Sequence, residues 1–255
     1  KRSGTIPSLK EKIRTSVNPK NYVEVRRRKR VLMIQHYDAV SCMSVVESDK
    51  ILYSGSWDKT VRVWSLSNGY KFLESILAHK DAVNTVATGF ERMVFTGSAD
   101  GTVKAWNREF KEKETKHRLV RTLLTGAHSV TAIVVDSGAG FVYAGTSEGL
   151  VHIWEKEKGF EHIGVLGGHS MAVMCLAALK GIVVSGGADG IVCVWRRRVS
   201  DGCHVLGSVL KGNRGPVKCL AIEERDDGCL VYSGSLDKSI RVWKVLHEPY
   251  IALGV

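Results

Sequence analysis

At 255 residues, with 44% hydrophobic and 25% charged positions, the chain has the make-up of a globular protein and not of a disordered or fibrous one. No uninterrupted apolar stretch reaches the roughly 18–20 residues needed to cross a bilayer, and the polar, basic start holds no apolar signal-peptide core, so a cytosolic or nuclear location is expected. The net charge of +11 is uneven: residues 1–30 hold 11 Lys or Arg and 2 Glu, a net of +9, which leaves the other 225 residues near balance at +2 and gives them no bulk-charge reason to bind nucleic acid.

In chain order, the opening "KRSGTIP" reads as the outer strand of a preceding sheet. The apolar "YVEV" with Tyr22, Val23 and Val25 is then followed by five cations, Arg26, Arg27, Arg28, Lys29 and Arg30. This run has three readings: a nuclear-import signal, a phosphate-binding arm, or a solvated loop. Adjacent like charges stay hydrated, so the chain is expected to dock through Tyr22 and Val25 and to emerge into solvent at Arg26.

From there the sequence repeats itself. "LYSGSWDKTVRVW", "VFTGSADGTVKAW", "VYAGTSEGLVHIW", "VVSGGADGIVCVW" and "VYSGSLDKSIRVW" end at Trp64, Trp106, Trp154, Trp195 and Trp243, at intervals of 42, 48, 41 and 48 residues. A period near 40–45 residues fits a unit of four strands, with the excess assigned to connections. Within each unit, "ILYSGS" and "VRVW" alternate apolar and polar residues around a polar turn, which predicts a β-hairpin. A further strand precedes each hairpin ("HYDAVSCMSV", "HKDAVNTV") and an outer one follows ("KFLESIL"). With four prolines and no amphipathic helix after the first 30 residues, the chain reads as all-β. Repeats are expected near 36–78, 79–127, 128–168, 169–212 and 213–255, after a basic N-terminal segment at 1–35.

The repeated words resemble the WD repeats of β-propeller proteins over residues 36–243. The resemblance implies a buried tetrad of His, Ser or Thr, Asp and Trp in each blade. It is carried here by His36, Ser54, Asp58 and Trp64, by His79, Thr96, Asp100 and Trp106, and by His169, Ser185, Asp189 and Trp195. The third unit departs, with Ala144 and Glu148 beside His128 and Trp154; in the fifth, Asn213 takes the His place while Ser233, Asp237 and Trp243 are kept. These two blades are expected to be the less rigid. Ser, His and Asp imitate a hydrolase triad, but the set recurs in several blades with no "GxSxG" elbow, so a structural role is expected. Gly167 and Gly168 precede a repeat His and read as a turn, not a phosphate cradle.

Flanking words sharpen the resemblance. "SVNPKNYVEVRR", "HYDAVSC", "LESILAH", "GPVKCLA" and "VYSGSLDKS" are similar to the JINGUBANG-type plant WD-repeat proteins, which implies a seven-bladed scaffold in the regulation of plant growth and development. Five blades plus part of a preceding one are visible, so the chain reads as a fragment of a seven-bladed ring lacking about two N-terminal blades, or as a closed five-bladed ring completed by the N-terminal strand.

WD-propeller ligands contact the top face, which the resemblance maps to Trp57, Ala99, Ser147, Ala188 and Leu236 just before each turn acid. Trp57 is the large aromatic of the set, so a contact patch of Tyr37, Trp57, Arg214 and Leu236 is the candidate for protein binding, against the alternative that Trp57 packs on a neighbouring loop. A second basic run, Arg196 to Arg198, reads as a solvated connection. Cys42, Cys175 and Cys219 recur at one repeat position as small core hydrophobes; with Cys193, Cys203 and Cys229 they form no metal-ligand spacing, so free thiols and no cofactor or metal are expected. The reading is a non-catalytic protein-interaction scaffold with protein partners and no membrane. The alternative is a nucleic-acid or phosphate-ligand module using the basic arm, which salt dependence of binding would distinguish.

Overall fold

The computed structural model describes residues 4–25, 29–67, 70–111, 114–198 and 202–246. The chain divides into two compact units, Lys1–Ile133 and Val134–Val255.

The first unit opens differently from the sequence reading. Gly4–Pro7 carry no strand and lead into helix α1 (Leu9–Ser16); Lys1–Ser3 lie outside the described residues. "SLKE" is the reason, because Ser8 caps the helix and its hydroxyl accepts the Glu11 N–H at 3.2 Å. Glu11 then accepts the Phe72 N–H at 2.6 Å, tying the helix to the outer strand of the first sheet. The basic run differs as well. Strand β1 (Tyr22–Val25) pairs antiparallel with β2 (Lys29–Leu32), with Val25 opposite Lys29 and Glu24 opposite Arg30. Lys29 and Arg30 are therefore strand residues of a hairpin and not part of a free arm. Arg26–Arg28 lie outside the described residues. Val31 and Leu32, apolar and alternating, give "YVEV" a partner strand.

Two four-stranded antiparallel sheets follow in this unit, each in chain order. The first is β3 (Val40–Val46), β4 (Ile51–Ser56), β5 (Thr60–Ser65) and β6 (Lys71–Leu77); the second is β7 (Val83–Gly89), β8 (Met93–Ser98), β9 (Thr102–Lys111) and β10 (Glu114–Thr125). The 48-residue interval after Trp106 comes from strand length and not from a connection: β9 and β10 run on as a long hairpin pairing Asn107 with Arg118 and Lys111 with Glu114. Strand β11 (Val130–Asp136) crosses the boundary between the units and starts the third sheet, continued by β12 (Phe141–Thr146), β13 (Leu150–Glu155) and β14 (Glu161–Gly167). The fourth sheet is β15 (Val173–Leu179), β16 (Ile182–Gly187), β17 (Ile191–Arg197) and β18 (His204–Lys211). The fifth has three described strands, β19 (Val217–Arg225), β20 (Gly228–Ser235) and β21 (Ile240–Leu246). Arg196 and Arg197 belong to β17 and not to a connection, and Arg197 lies over the Phe141 ring at 5.0 Å.

The core forms between successive sheets. Tyr53, Val61 and Val63 of the first sheet pack with Val83, Val86 and Val94 of the second, while Val184, Val192 and Val194 of the fourth pack with Val217 and Val231 of the fifth. Close approach depends on the glycine of each "SG" or "AG" word. A Cβ on Gly145 would stand 2.5 Å from Val173 Cγ1, and one on Gly186 would stand 2.6 Å from Val217 Cγ1 and 2.8 Å from the Cys175 sulfur. Cys42 and Cys175 are accordingly half-buried, and burial pushes their thiols up to about 11 and about 12. Cys219 departs from this pattern. It is exposed on the last described sheet, which no later described strand covers, so it is not a core residue there. Cys193 and Cys229 are buried and Cys203 is exposed.

Gly145→Ala should destabilise the protein by about 1–3 kcal/mol through overpacking. Gly164→Ala, where an added Cβ meets nothing within 4 Å, should change stability by no more than a few tenths of a kcal/mol. Denaturant melts of the two variants check the contrast, and equal losses would mean that the glycines do not set the distance between sheets.

Candidate functional site

The repeat side chains converge inside the sheets. In the first, Trp64 Nε1 donates to Ser54 Oγ at 2.9 Å, Ser54 Oγ lies 2.9 Å from His36 Nε2, and His36 Nδ1 lies 2.8 Å from Asp58 Oδ2. The indole N–H donates to the hydroxyl, and the two ring nitrogens of His36 hydrogen-bond the Ser54 hydroxyl on one side and the Asp58 carboxylate on the other. Ser54 is buried, and its oxygen is engaged by the Trp64 indole as well as by the His36 ring. In the second sheet Trp106 Nε1 donates to Thr96 Oγ1 at 2.9 Å and His79 Nε2 lies 2.7 Å from the same oxygen. In the fourth, His169 lies 2.5 Å from Ser185 Oγ and 3.1 Å from Asp189 Oδ1. Trp64, Trp106, Trp154 and Trp195 are all buried.

The turn acids hold more than their histidines. Burial pushes the Asp58 carboxyl up, but hydrogen bonds from His36, Thr60 and Arg62 outweigh it and keep it well below the usual carboxylate range. Thr102 does the same for Asp100, which is lowered to about 2 against the effect of burial. Thr60, Thr102 and Ser239, each two residues after the acid, were not among the candidates, although the spacing "DxT" or "DxS" is visible in the sequence. A second group missed by sequence reading lies two residues before the Trp. Arg62, only 3% exposed, donates to Asp58 at 2.9 Å, and Lys104 donates to the Ala78 carbonyl at 2.6 Å.

This position separates the two atypical sheets. In the fifth, Arg241 donates to Asn213 Oδ1 at 3.0 Å and to Asp237 Oδ2 at 2.9 Å, while Trp243 donates to Ser233 at 2.9 Å, so Arg241 remakes the link that the missing His would supply. In the third, Ala144 offers no hydroxyl and the buried Trp154 Nε1 has no hydrogen-bond partner. His152 instead stacks on the Trp154 ring at 6.0 Å and lies 3.1 Å from His162. Two further buried links tie sheets together within each unit. Tyr53 Oη lies 2.9 Å from His117 Nε2, whose Nδ1 is 2.7 Å from Glu74, and Tyr143 Oη lies 2.8 Å from His204 Nε2. Among the described residues, no three His, Cys, Asp or Glu side chains converge as a metal ion would need, and no helix is long and apolar enough to cross a membrane.

The exposed candidates fall in both units. Tyr37 and Trp57, 45% and 55% exposed, line a cleft of about 820 Å³ in the first unit. Its other wall is the β1–β2 hairpin, whose register puts Tyr22, Leu32 and Arg30 on one face; Lys59 closes the turn side. The Tyr37 N–H and hydroxyl both bond Asp58, at 3.2 Å to its carboxylate and 3.2 Å to its carbonyl, so the tetrad acid also anchors the cleft. Sequence reading placed neither the hairpin nor Arg30 beside Trp57. Arg214 and Leu236 are exposed in the second unit at the Asp237 turn, where the Arg214 N–H donates to Asp237 at 2.8 Å.

Repeated four-stranded antiparallel sheets, each carrying a Trp–hydroxyl–His–Asp relay or a remnant of one, define the class as β-propeller blades. The chain belongs to the WD-repeat family: it matches "WD domain, G-beta repeat" over residues 28–65, 70–107, 160–196 and 204–244, more than half its length, and the gap covers the strands around Ala144 and Glu148. It is 26% identical over 171 residues to Denticleless protein homolog A of Xenopus laevis, covering 54% of this chain and 24% of that protein. It is 24% identical over 232 residues to WD repeat-containing protein 18 of Homo sapiens, covering 87% of this chain and 44% of that protein. The chain thus spans less than half the length of these relatives. Among solved structures it is similar to U3-55K and to the WD40 repeats of RRP9, each with a TM-score of 0.68 at 21% identity; coverage is 82% of this chain in both, with 62% and 61% of those chains.

Trp64→Phe and Trp154→Phe remove similar volumes, but only the first breaks a hydrogen bond, so Trp64→Phe should cost about 0.5–1.5 kcal/mol more in a urea melt. Acid provides a second test. Burial lowers His79 to about 4 from an ordinary 6.5, so between those values the unfolded chain binds the proton and the fold does not. The stabilisation is full above pH 6.5 and is lost as pH falls toward 4, with Asp100 extending the loss below the ordinary carboxylate value of 3.8 toward 2. His79→Asn, which copies Asn213 of the fifth repeat, should flatten the dependence of melting temperature on pH between 6.5 and 4. An unchanged slope would assign the acid sensitivity to other groups.

Proposed function

We propose that this chain is a non-catalytic protein-interaction scaffold that docks partner proteins at the cleft formed by Tyr37, Trp57 and the β1–β2 hairpin. The observation that carries the reading is the exposure of two large aromatic side chains on the walls of one cleft, anchored from below by the buried Asp58. Aromatic side chains held in a concave, rigid setting supply much of the binding energy at protein interfaces. Membership of the WD-repeat family supports a scaffold, and the hydrogen bonds of Ser54 to the buried Trp64 and of Thr96 to the buried Trp106 support a structural and not a catalytic use of those residues. The resemblance of the flanking words to JINGUBANG-type proteins is the ground for the further reading that the chain acts in regulating plant growth and development, in the nucleus or cytoplasm.

Affinity purification of the full-length protein from plant tissue, compared with its Trp57→Ala variant, tests the reading. Leu77→Ala, at an apolar position 75% exposed and outside the cleft, is the control. Trp57→Ala should lose partners that Leu77→Ala retains, with melting temperatures unchanged in both because exposed substitutions shift stability by about 0.5 kcal/mol or less. Retention of every partner by Trp57→Ala would remove the cleft as the docking site.

A further inference from the structure

The cleft is not neutral toward its occupant. Arg30 stands on the hairpin wall as the last of five consecutive cations, residues 26–30, and Lys59 stands on the turn that carries Trp57. The Lys59 ammonium donates to the Lys80 carbonyl at 2.8 Å, a neutral partner that leaves its charge uncompensated, whereas the Arg62 charge below is matched by Asp58. Asp38 is the acid of the lining, with one oxygen accepting the Ala39 N–H at 2.8 Å, and Glu24 faces Arg30 across the hairpin. The same lining includes Tyr22, Leu32, Tyr37 and Trp57, which give the cleft apolar and aromatic surface beside the two cations.

We propose that this cleft binds an acidic peptide, seating one aromatic or aliphatic side chain between Trp57 and Leu32 with carboxylates directed to Arg30 and Lys59. The proposal rests on the cleft being the docking site and adds the chemistry of what docks. Carboxylates gain charge-assisted hydrogen bonds from both cations, and the anchor removes the exposed aromatic surface from water. A polynucleotide fits less well. Its affinity comes from neutralising many successive phosphates, yet the chain outside residues 1–30 is nearly balanced at +2, and Asp38 opposes a phosphate in the cleft itself.

The test is a titration of the full chain, at low ionic strength, with three probes: a random Glu–Tyr copolymer, a random Lys–Tyr copolymer and oligouridylate. Of the six tryptophans four are buried and Trp243 is half-buried, so the part of the fluorescence change that is absent in Trp57→Ala reports occupancy at Trp57, with calorimetry as the second readout. The Glu–Tyr copolymer should bind and perturb the Trp57 emission, with affinity falling as salt rises, and the Lys–Tyr copolymer should not bind. Trp57→Ala and Arg30→Glu should each weaken binding tenfold or more. Lys59→Gly should weaken it severalfold; glycine occupies the equivalent left-handed turn position at Gly101, so the turn is kept. Unchanged melting temperatures show that the variants are folded. Equal binding of both copolymers, or tighter binding of oligouridylate lost in Arg30→Glu, would overturn the acidic-peptide assignment. If the Glu–Tyr copolymer does not bind while Trp57→Ala still loses its cellular partners, the docking site stands and its acidic chemistry falls. If the copolymer binds Trp57→Ala as well as the parent, the cleft itself is excluded.

Discussion

The structure depends on a hydroxyl that serves two rings at once. Ser54 Oγ accepts from the Trp64 indole and hydrogen-bonds the His36 imidazole, and Thr96 stands in the same relation to Trp106 and His79. Each of these polar groups is buried, where an unmade hydrogen bond costs about 1–3 kcal/mol, so the relay holds the third strand, the hairpin turn and the segment entering the sheet in one geometry. Burial disfavours the charged form of His79, so its imidazole is neutral at neutral pH.

The relay tolerates replacement where geometry allows another donor. Arg241 reaches Asn213 and Asp237 together because a guanidinium presents several donors in a fixed plane, so the fifth repeat is knitted without its histidine. The third repeat has lost the hydroxyl, and among the described residues no group accepts the Trp154 indole N–H. The ring remains buried there because packing holds it, with His152 stacked on its face and His162 at its edge. The two departures therefore have different consequences: the fifth repeat keeps the Ser233 hydroxyl for its Trp and replaces the His link through Arg241, whereas Ala144 leaves Trp154 without an acceptor.

The same tetrad chemistry extends to the surface. Asp58 holds His36 and Arg62 inside the sheet and Tyr37 outside it, so the aromatic wall of the cleft is set by a buried carboxylate. The opposite wall comes from a different kind of element. The hairpin is tied in by the Met33 N–H to the Asn21 carbonyl at 2.7 Å and by Arg62 donating to the Met33 carbonyl at 2.8 Å, which links the N-terminal segment to the first tetrad.

Much of this protein was determined by sequence alone. The spacing of the five tryptophans and the period-two alternation beside them define the strands, their hairpins and the tetrad members, because each is a local pattern repeated often enough to be read against itself. Local rules also contained signals that sequence reading passed over, namely the "SLKE" cap of α1 and the Thr or Ser two residues after each turn acid. Tertiary structure alone decided the rest. That Cys219 is exposed where Cys42 and Cys175 are half-buried depends on which sheet lies alongside, and that five cations include two strand residues depends on Val31 and Leu32 finding "YVEV". That Arg30 faces Trp57 depends on a hairpin folding back over a turn 27 positions away in the sequence. Burial, partner choice and the walls of a cleft are properties of pairs of segments, and a single-chain pattern carries no information about a pair until packing brings its members together.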